Sequence, residues 1–578
     1  MYLSLALVIA VAALCAAGDA LAVYSDLFAA RMGIDFVPLS LVPWSMLVWL
    51  AVATPVAAAT LLTRVRWPAA SPWLVASLPT FLIGVRIIRP LRWSVPSAVV
   101  GTALLVSWVG FAFLLRAIVR RVRLAGKGHR IAAVAAAVAV GTVLLASAPR
   151  QPVQVPVTRA DASRPNVVLI FMDTLRADTA ATMPSLQRLA ARGASFRAAY
   201  APAPWTLPSH MAVTTGTSPA ILGVDAMYQH FGGMRPTLAE ILEARGYSTA
   251  AVLSNSFLNE GTGFERGYAD FRVAHRYLDV CRTTPGLILS RLSPQMTHSV
   301  CLWSSDNIIE QATPMLDRLP RPYYLTLNLM DLHAPYWSPC RGSEEAAMFA
   351  DAVTLHRVSM GRVLQPSERE RWRRLYESGA ACADRNLARL LDAIERSPDA
   401  ARTYIIVVAD HGEHLGEHGL YMHRNSLYPE LLHVPLIMTG PGIPHTVVDR
   451  PVSTIWLFSA IVGLTRADPR SSPLMGLIAG VPATLPAVSS VWADQPRAQH
   501  VTVIDDRFQY IEDTDSHEEL YDMVADPSES HDLSRDPAQQ ERRAQMRALA
   551  RPLLSAMAKR PRDSRRDIVR LRSLGYLQ

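Results

Sequence analysis

Lysine is almost missing from this chain. Of 57 basic side chains only Lys127 and Lys559 are lysines, and the rest are arginine. The net charge of +8 is therefore an arginine charge. No arginine run is interleaved with aromatics as a nucleic-acid groove requires, which argues against a nucleic-acid partner. Cysteine is also scarce, with five in 578 residues and no CxxC pair, so a zinc knuckle is not indicated. Cys15 falls in an apolar stretch. Cys281, Cys301, Cys340 and Cys382 form an even set that suits two disulfides in an oxidising compartment or, equally, four buried thiols. The first apolar run has no basic n-region, and more apolar runs follow it, so a retained helix is expected rather than a cleaved signal peptide.

What the chain has in excess is apolar residues, 50% of the total with a mean hydropathy of +0.16. The excess sits in the first 150 residues. Stretches at 3–24, 41–62, 73–88, 95–115 and 131–147 approach the roughly 20 residues a membrane span needs. A bundle of about five transmembrane helices is expected over 1–148. The loop 116–130 carries Arg116, Arg120, Arg121, Arg123, Lys127 and Arg130, and Arg64 and Arg66 follow the second stretch. Excess positive charge stays cytoplasmic, so the chain beyond Pro149 is expected outside, periplasmic or extracellular, with the lipid bilayer as a partner. Arg86, Arg89 and Arg92 oppose this orientation but form the smaller cluster. A proline-containing linker is expected at 149–164, a catalytic domain at 165–465 and a smaller C-terminal subdomain at 466–578.

Three apolar runs in the second part end in acidic or histidine residues. Asn166 to Met172 leads to Asp173 and Thr174, Tyr404 to Ala409 leads to Asp410 and His411, and Tyr323 to Leu329 leads to Asp331 and His333. Such runs read as buried parallel strands. In open α/β sheets, ligands bind at the carboxyl ends of strands. One such ending could be a helix cap; three together argue for a metal site at one sheet edge. Thr206 lies between Pro204 and Pro208, with a helix expected from Ser209. A threonine so placed is either a helix cap or a nucleophile, and taken alone the cap is favoured.

These segments resemble the sulfatase family of the alkaline-phosphatase superfamily. The run from Asn166 through Asp173 to Asp178 is similar to the family's opening strand and metal turn, and Ala203 to His210 to its nucleophile segment. Asp331 to Tyr336 resembles its central histidine motif, and Asp410 to Gly419, with His423 and Val434 to Ile437, its second metal motif. Glu519 to Met523, Asp526 to Glu529 and Leu571 to Leu577 look like its C-terminal signatures. The resemblance implies an α/β, alkaline-phosphatase-like sandwich with a central mixed sheet. It implies one divalent cation held by Asp173, Asp410 and His411, with Thr206 as nucleophile and further ligand. Carboxylate oxygen with imidazole suits zinc or manganese better than magnesium or calcium. His333 and His423 are the candidates for binding ester oxygens or protonating the leaving group, with His210 a further catalytic candidate; Thr174 and Arg176 are further site candidates. His414 and His418 are weaker.

The chain departs from the family at the nucleophile. Sulfatases convert a cysteine or serine to formylglycine in a C/S-x-P-x-R segment, whereas this chain has Thr206 first and His210 in place of the arginine. No formylglycine is therefore expected. Thr174 stands where many arylsulfatases have a second aspartate, and Ser254 and Asn255 occupy the region of a family Lys and His. A formylglycine hydrate can expel sulfate by elimination; a threonine adduct must be attacked at sulfur or phosphorus, which is familiar phosphoryl-enzyme chemistry. The expected activity is metal-dependent hydrolysis of a sulfate or phosphate ester of an envelope or extracellular glycan or lipid. One alternative is an envelope phosphotransferase, since the spans and threonine resemble lipoteichoic acid synthases and phosphoethanolamine transferases. Another is a catalytically degenerate membrane scaffold. A transporter would need more polar residues in the spans than Asp19 and Arg86.

Overall fold

The computed structural model describes residues 164–222, 235–258, 262–273, 304–334, 336, 358, 363–466, 472–481, 487–492 and 499–558. All belong to one of two compact units, the one formed by 153–275 and 302–578. The five apolar stretches, their orientation and the linker as far as residue 163 lie outside the described residues. Among the described residues, no helix is long and apolar enough to cross a membrane.

A nine-stranded mixed sheet organises this unit. Its strands are β1 (Asn166–Met172), β2 (Ala194–Tyr200), β3 (Ser248–Leu253), β4 (Asp270–Val273), β5 (Tyr323–Leu329), β6 (Thr403–Val408), β9 (His433–Thr439), β10 (Thr446–Val448) and β11 (Val452–Ser453). A two-stranded ribbon, β7 (His414–Leu415) with β8 (Tyr421–Met422), interrupts the numbering. The order is β10-β2-β9-β6-β1-β5-β3-β4, with β11 paired to β2. Strand β9 runs antiparallel to both neighbours, and the other pairings are parallel.

All seven residues of β1 are buried because the sheet is covered on both faces. Val168, Ile170 and Met172 enter one core. There they meet Ile308, Ala312 and Leu316 of α2 (Ser305–Arg318) and Tyr376, Leu387 and Leu391 of α3 (Pro366–Arg396). Val167, Leu169 and Phe171 enter a second core with Leu238, Leu242 and, from α4 (Leu457–Leu464), Leu457, Ala460 and Ile461. The period-two alternation of the strand thus splits one continuous apolar run between two helical layers. Each such side chain contributes about 1.5–3 kcal/mol by leaving water. Cys382 of α3 is disulfide-bonded, which removes the free-thiol alternative at that position; the other cysteines lie outside the described residues.

A second, antiparallel sheet follows in the order β12 (Ala487–Trp492), β13 (Gln499–Ile504), β14 (Phe508–Asp513), β15 (Glu518–Asp522). Val501, Val503, Tyr510 and Leu520 pack on Met546, Ala550 and Leu554 of α5 (Gln540–Ala558). Ile504, Ile511 and Tyr521 join the first core of the main sheet.

The topology explains the site. Strand β1 is flanked in parallel by β5 and β6, so all three carboxyl ends open on one edge. Asp173 follows β1 with its N–H on Leu329 O of β5 at 2.8 Å, and Asp410 lies two residues beyond β6.

Candidate active site

Chain direction changes sharply after β1. Thr174 has φ +60°, a left-handed conformation that is costly for a β-branched residue. Its N–H donates to Asp410 Oδ1 at 3.3 Å, and its hydroxyl turns back to Asp173 O at 2.7 Å. The hydroxyl of this sequence candidate thus serves the turn, and the backbone N–H serves the neighbouring carboxylate. Strain of this kind persists where surrounding structure over-determines it.

The two carboxylates are held alike. Asp173 Oδ2 accepts Asn255 Nδ2 at 2.7 Å and Asn328 Nδ2 at 3.3 Å. Asp410 Oδ1 accepts the N–H groups of Thr174 and, at 2.9 Å, His411. Asp173 Oδ1 and Asp410 Oδ2 remain without hydrogen bonds, although both residues are fully buried. These two free oxygens stand 3.7 and 3.5 Å from His411 Nε2. The other ring nitrogen, Nδ1, donates to Gly412 O at 2.9 Å, which leaves a lone pair on Nε2 of the neutral ring. Burial and the adjacent Asp173 push the Asp410 carboxyl well above the usual range, while burial and His423 push His411 well below its own.

Three lone pairs converge in a buried space. Orphaned buried charge is costly, and a cation relieves it. Ligand atoms about 2.0–2.2 Å from a single tetrahedral ion stand roughly 3.3–3.6 Å apart, close to the separations here. Asp173, Asp410 and His411 thus fit a divalent metal, and among the described residues they are the one such cluster of acidic, histidine or cysteine side chains.

Thr206 opens helix α1 (Thr206–Thr215), three residues earlier than the expected start at Ser209. Trp205 is the N-cap, and the Thr206 hydroxyl makes no cap bond. Instead Oγ1 accepts Asn255 Nδ2 at 3.1 Å and lies 3.4 Å from His411 Nε2. The geometry therefore goes against the cap reading and sets the hydroxyl beside the cluster. His210, one turn on, donates Nδ1–H to Thr206 O at 2.9 Å and lies 3.4 Å from Asp410 Oδ2. Its ring packs 4.0 Å from that of Phe171, and burial pushes its pKa down to about 3. Its ring is therefore neutral and lies behind the threonine.

His423 sits between Met422 (φ +64°) and Arg424 (φ +77°), two left-handed residues that turn the segment toward the cluster. Its ring centroid is 4.5 Å from that of His411 and 4.9 Å from that of His333, so three imidazoles stand in file. His423 Nδ1 is 3.1 Å from Glu413 Oε1, and burial raises the Glu413 carboxyl to about 8. Burial, with His333, holds His423 well below its usual value. Arg176 pairs with Asp178 at 2.7 Å and Glu417 at 2.8 Å and binds Glu413 O at 3.2 Å. It ties the turn after β1 to the loop after β6. His414 bonds Ser426 Oγ at 2.7 Å, and His418 stacks on Tyr428.

Sequence reasoning missed Asn328 and Glu413 and registered Asn255 only as a replacement. Asn328 left a signal, an amide inside a largely apolar buried strand, which must find a partner. Asn255 and Glu413 left none that spacing could show.

Fold and site together define an α/β protein whose sheet edge holds a buried two-carboxylate, one-imidazole cluster beside a hydroxyl. The family model described as Sulfatase matches residues 165–467, over half of the chain. The chain belongs to the sulfatase family and is a sulfatase-like ester hydrolase. It is similar to a choline-sulfatase of Rhizobium meliloti, 24% identical over 65% of this chain and 83% of that protein. Among solved structures it is similar to a 2-O GAG sulfatase, with TM-score 0.53 and 19% identity over 68% of this chain and 93% of that one. It is also similar to the phosphonate monoester hydrolase of Agrobacterium radiobacter, with TM-score 0.53 and 17% identity over 68% and 96%. At these identities the structural likeness speaks for the fold.

Proposed function

We propose that the protein hydrolyses a singly charged sulfate or phosphate ester through a covalent adduct on Thr206, with one divalent metal held by Asp173, Asp410 and His411. The observation that carries this reading is the placement of Thr206 Oγ1, 3.4 Å from His411 Nε2 and bridged through Asn255 to Asp173. A bound zinc or manganese ion would act as a Lewis acid on the ester and lower the pKa of the hydroxyl. Thr206 Oγ1 gives up its proton to water and forms the bond to sulfur or phosphorus. The ester oxygen leaves with its bonding pair and takes a proton from His333, or from Nε2 of His423 as the protonated Glu413 carboxyl passes its own proton to Nδ1. Water then attacks the same centre, and the Oγ1 bond breaks as the proton that water loses returns to Oγ1 and restores threonine.

Charge supports a monoanionic substrate. Two aspartates offset a divalent ion at this cluster. A sulfate monoester, phosphodiester or phosphonate monoester carries one negative charge where a phosphate monoester carries two. Both choline-sulfatase and phosphonate monoester hydrolase, named among the similar proteins, are compatible with that class. A second reading rests on Thr206 itself. A plain threonine adduct can be resolved by an alcohol as well as by water, so transfer of a phospho-group from a lipid to an envelope acceptor uses the same residues. The apolar first 148 residues support anchoring in a cell membrane with the catalytic part outside.

The test is the mass of the Thr206 peptide after acid quench with an aryl sulfate and an aryl phosphodiester. A phospho- or sulfo-adduct on Thr206, absent in Thr206→Ala along with turnover, is the expected result. Full turnover in Thr206→Ala would remove the threonine from the chemistry.

A further inference from the structure

Asn255 is the best-satisfied polar side chain at the site, and it touches the nucleophile candidate directly. It follows β3, is fully buried, and uses every polar atom. Its Oδ1 accepts the N–H of Phe257 at 2.9 Å, which settles the amide orientation. The NH2 group therefore faces inward, to Asp173 Oδ2 at 2.7 Å and Thr206 Oγ1 at 3.1 Å. Its own N–H donates to Asn328 Oδ1 at 2.9 Å, and Asn328 Nδ2 reaches the same Asp173 oxygen at 3.3 Å. Two neighbouring strands thus send amides to one side of Asp173 and leave its other oxygen free to face His411.

We propose that Asn255 is a catalytic residue: its amide holds the Thr206 oxygen in register with the metal ligand Asp173 and stabilises the negative charge that oxygen acquires. The inference rests on the reading of Thr206 as nucleophile. One NH2 group has two protons, and here each has its own acceptor. Because Thr206 Oγ1 accepts from Asn255, its own proton points elsewhere and is free to leave to water. When that proton leaves, the Asn255 bond remains and becomes charge-assisted, shorter and stronger than a neutral one. A neutral amide achieves this without burying a second cation beside the metal site. It also needs no reorganisation, since the donor is already locked by Phe257.

Three variants of the full chain test it: Thr206→Ala, Asn255→Ala and Asn255→Asp, the last keeping the shape but losing both donors. Each is assayed at saturating manganese on the aryl ester that the unmodified protein turns over, and manganese affinity is measured separately by calorimetry. Loss of one such donor should lower kcat about 10²–10³-fold, with KM nearly unchanged. Loss of the Asp173 bond should weaken manganese binding roughly tenfold. Asn255→Asp should be no more active than Asn255→Ala. If Thr206→Ala is inactive while Asn255→Ala at saturating manganese turns over as the unmodified protein does, Asn255 only orients Asp173 and the proposal is overturned. Active Thr206→Ala overturns the nucleophile reading itself, and the proposal with it. A loss in Asn255→Ala matched by collapse of the melting transition is read from Asn255→Asp, and full activity in that variant overturns the proposal.

Discussion

Tyr376 donates its hydroxyl to the carbonyl oxygen of Thr174 at 2.7 Å and, through the same oxygen, accepts the N–H of Arg176 at 3.1 Å. A side chain from the middle of α3 therefore bridges the left-handed turn that ends β1. Burial pushes the phenol far above its ordinary range, so it stays protonated and able to donate. Tyr376→Phe keeps the ring and removes both bonds. The buried Thr174 O and Arg176 N–H would be left without Tyr376, at about 1–3 kcal/mol each where nothing replaces it. The expected outcome is a lower midpoint in urea together with weaker manganese binding, since Thr174 N–H also holds Asp410. Unchanged manganese affinity would separate the turn from the metal site.

Metal should stabilise the fold strongly, because the apo site keeps two buried carboxylate oxygens without partners. Ligand at about 100 times its Kd adds roughly 2.7 kcal/mol. Chelator should lower the melting temperature, and zinc or manganese should restore it. Asp410→Asn removes the repulsion with Asp173, so its apo form should melt above apo unmodified protein while gaining little from metal. Calorimetric melts with and without chelator check both statements. A metal-saturated Asp410→Asn protein that gains as much as the unmodified chain would exclude Asp410 as a ligand.

Much of this arrangement is legible in the sequence because it depends on strand ends. The runs ending at Met172, Leu329 and Ala409 are largely apolar, so their burial and the placement of the residues that follow come from local pattern. What is not legible depends on contacts between distant segments. Asn255 acquires its role only because β3 lies beside β5 and β5 beside β1. The pairing of Arg176 with Glu417 likewise joins loops 241 residues apart, and no spacing rule announces it. The cap reading of Thr206 fails for a similar reason, since the partners that take its hydroxyl come from β3 and the loop after β6.

His423 is expected to serve the leaving group. Its Nδ1 is engaged with Glu413 Oε1, so Nε2 is the nitrogen left for an ester oxygen. A general acid matters most when the departing alcohol is a poor leaving group, and such a group contributes about 10²–10⁴-fold. His423→Ala should therefore slow an alkyl or unactivated phenyl ester by about that factor, and a nitrophenyl ester far less. The check is a plot of rate against leaving-group acidity, which should be steeper for the variant. Equal loss across all esters would point to binding of the anion instead.

Glu529 offers a pH prediction remote from the chemistry. It has φ +50°, is buried, and neither carboxylate oxygen has a hydrogen bond. Burial, with Glu430, Glu519 and Asp526 nearby, pushes its pKa up to about 9. The surrounding groups have their own partners: Glu430 lies 3.6 Å from His418 Nε2, and Glu519 accepts the hydroxyls of Tyr521 and Tyr428. Unfolded, the same carboxyl titrates at about 4.3. Between those values the folded state holds a proton that the unfolded state has released, so stability falls as pH rises from near 4.5 toward 9. Below that window both states are protonated and nothing is lost. Glu529→Gln mimics the protonated form at every pH. It should melt with the unmodified protein near pH 5 and above it at pH 8.5, by roughly 2–4 °C for each kcal/mol recovered. Melting curves at the two pH values decide it: a constant difference, or none at pH 8.5, would mean that Glu529 is ionised in the folded protein and has a counter-charge.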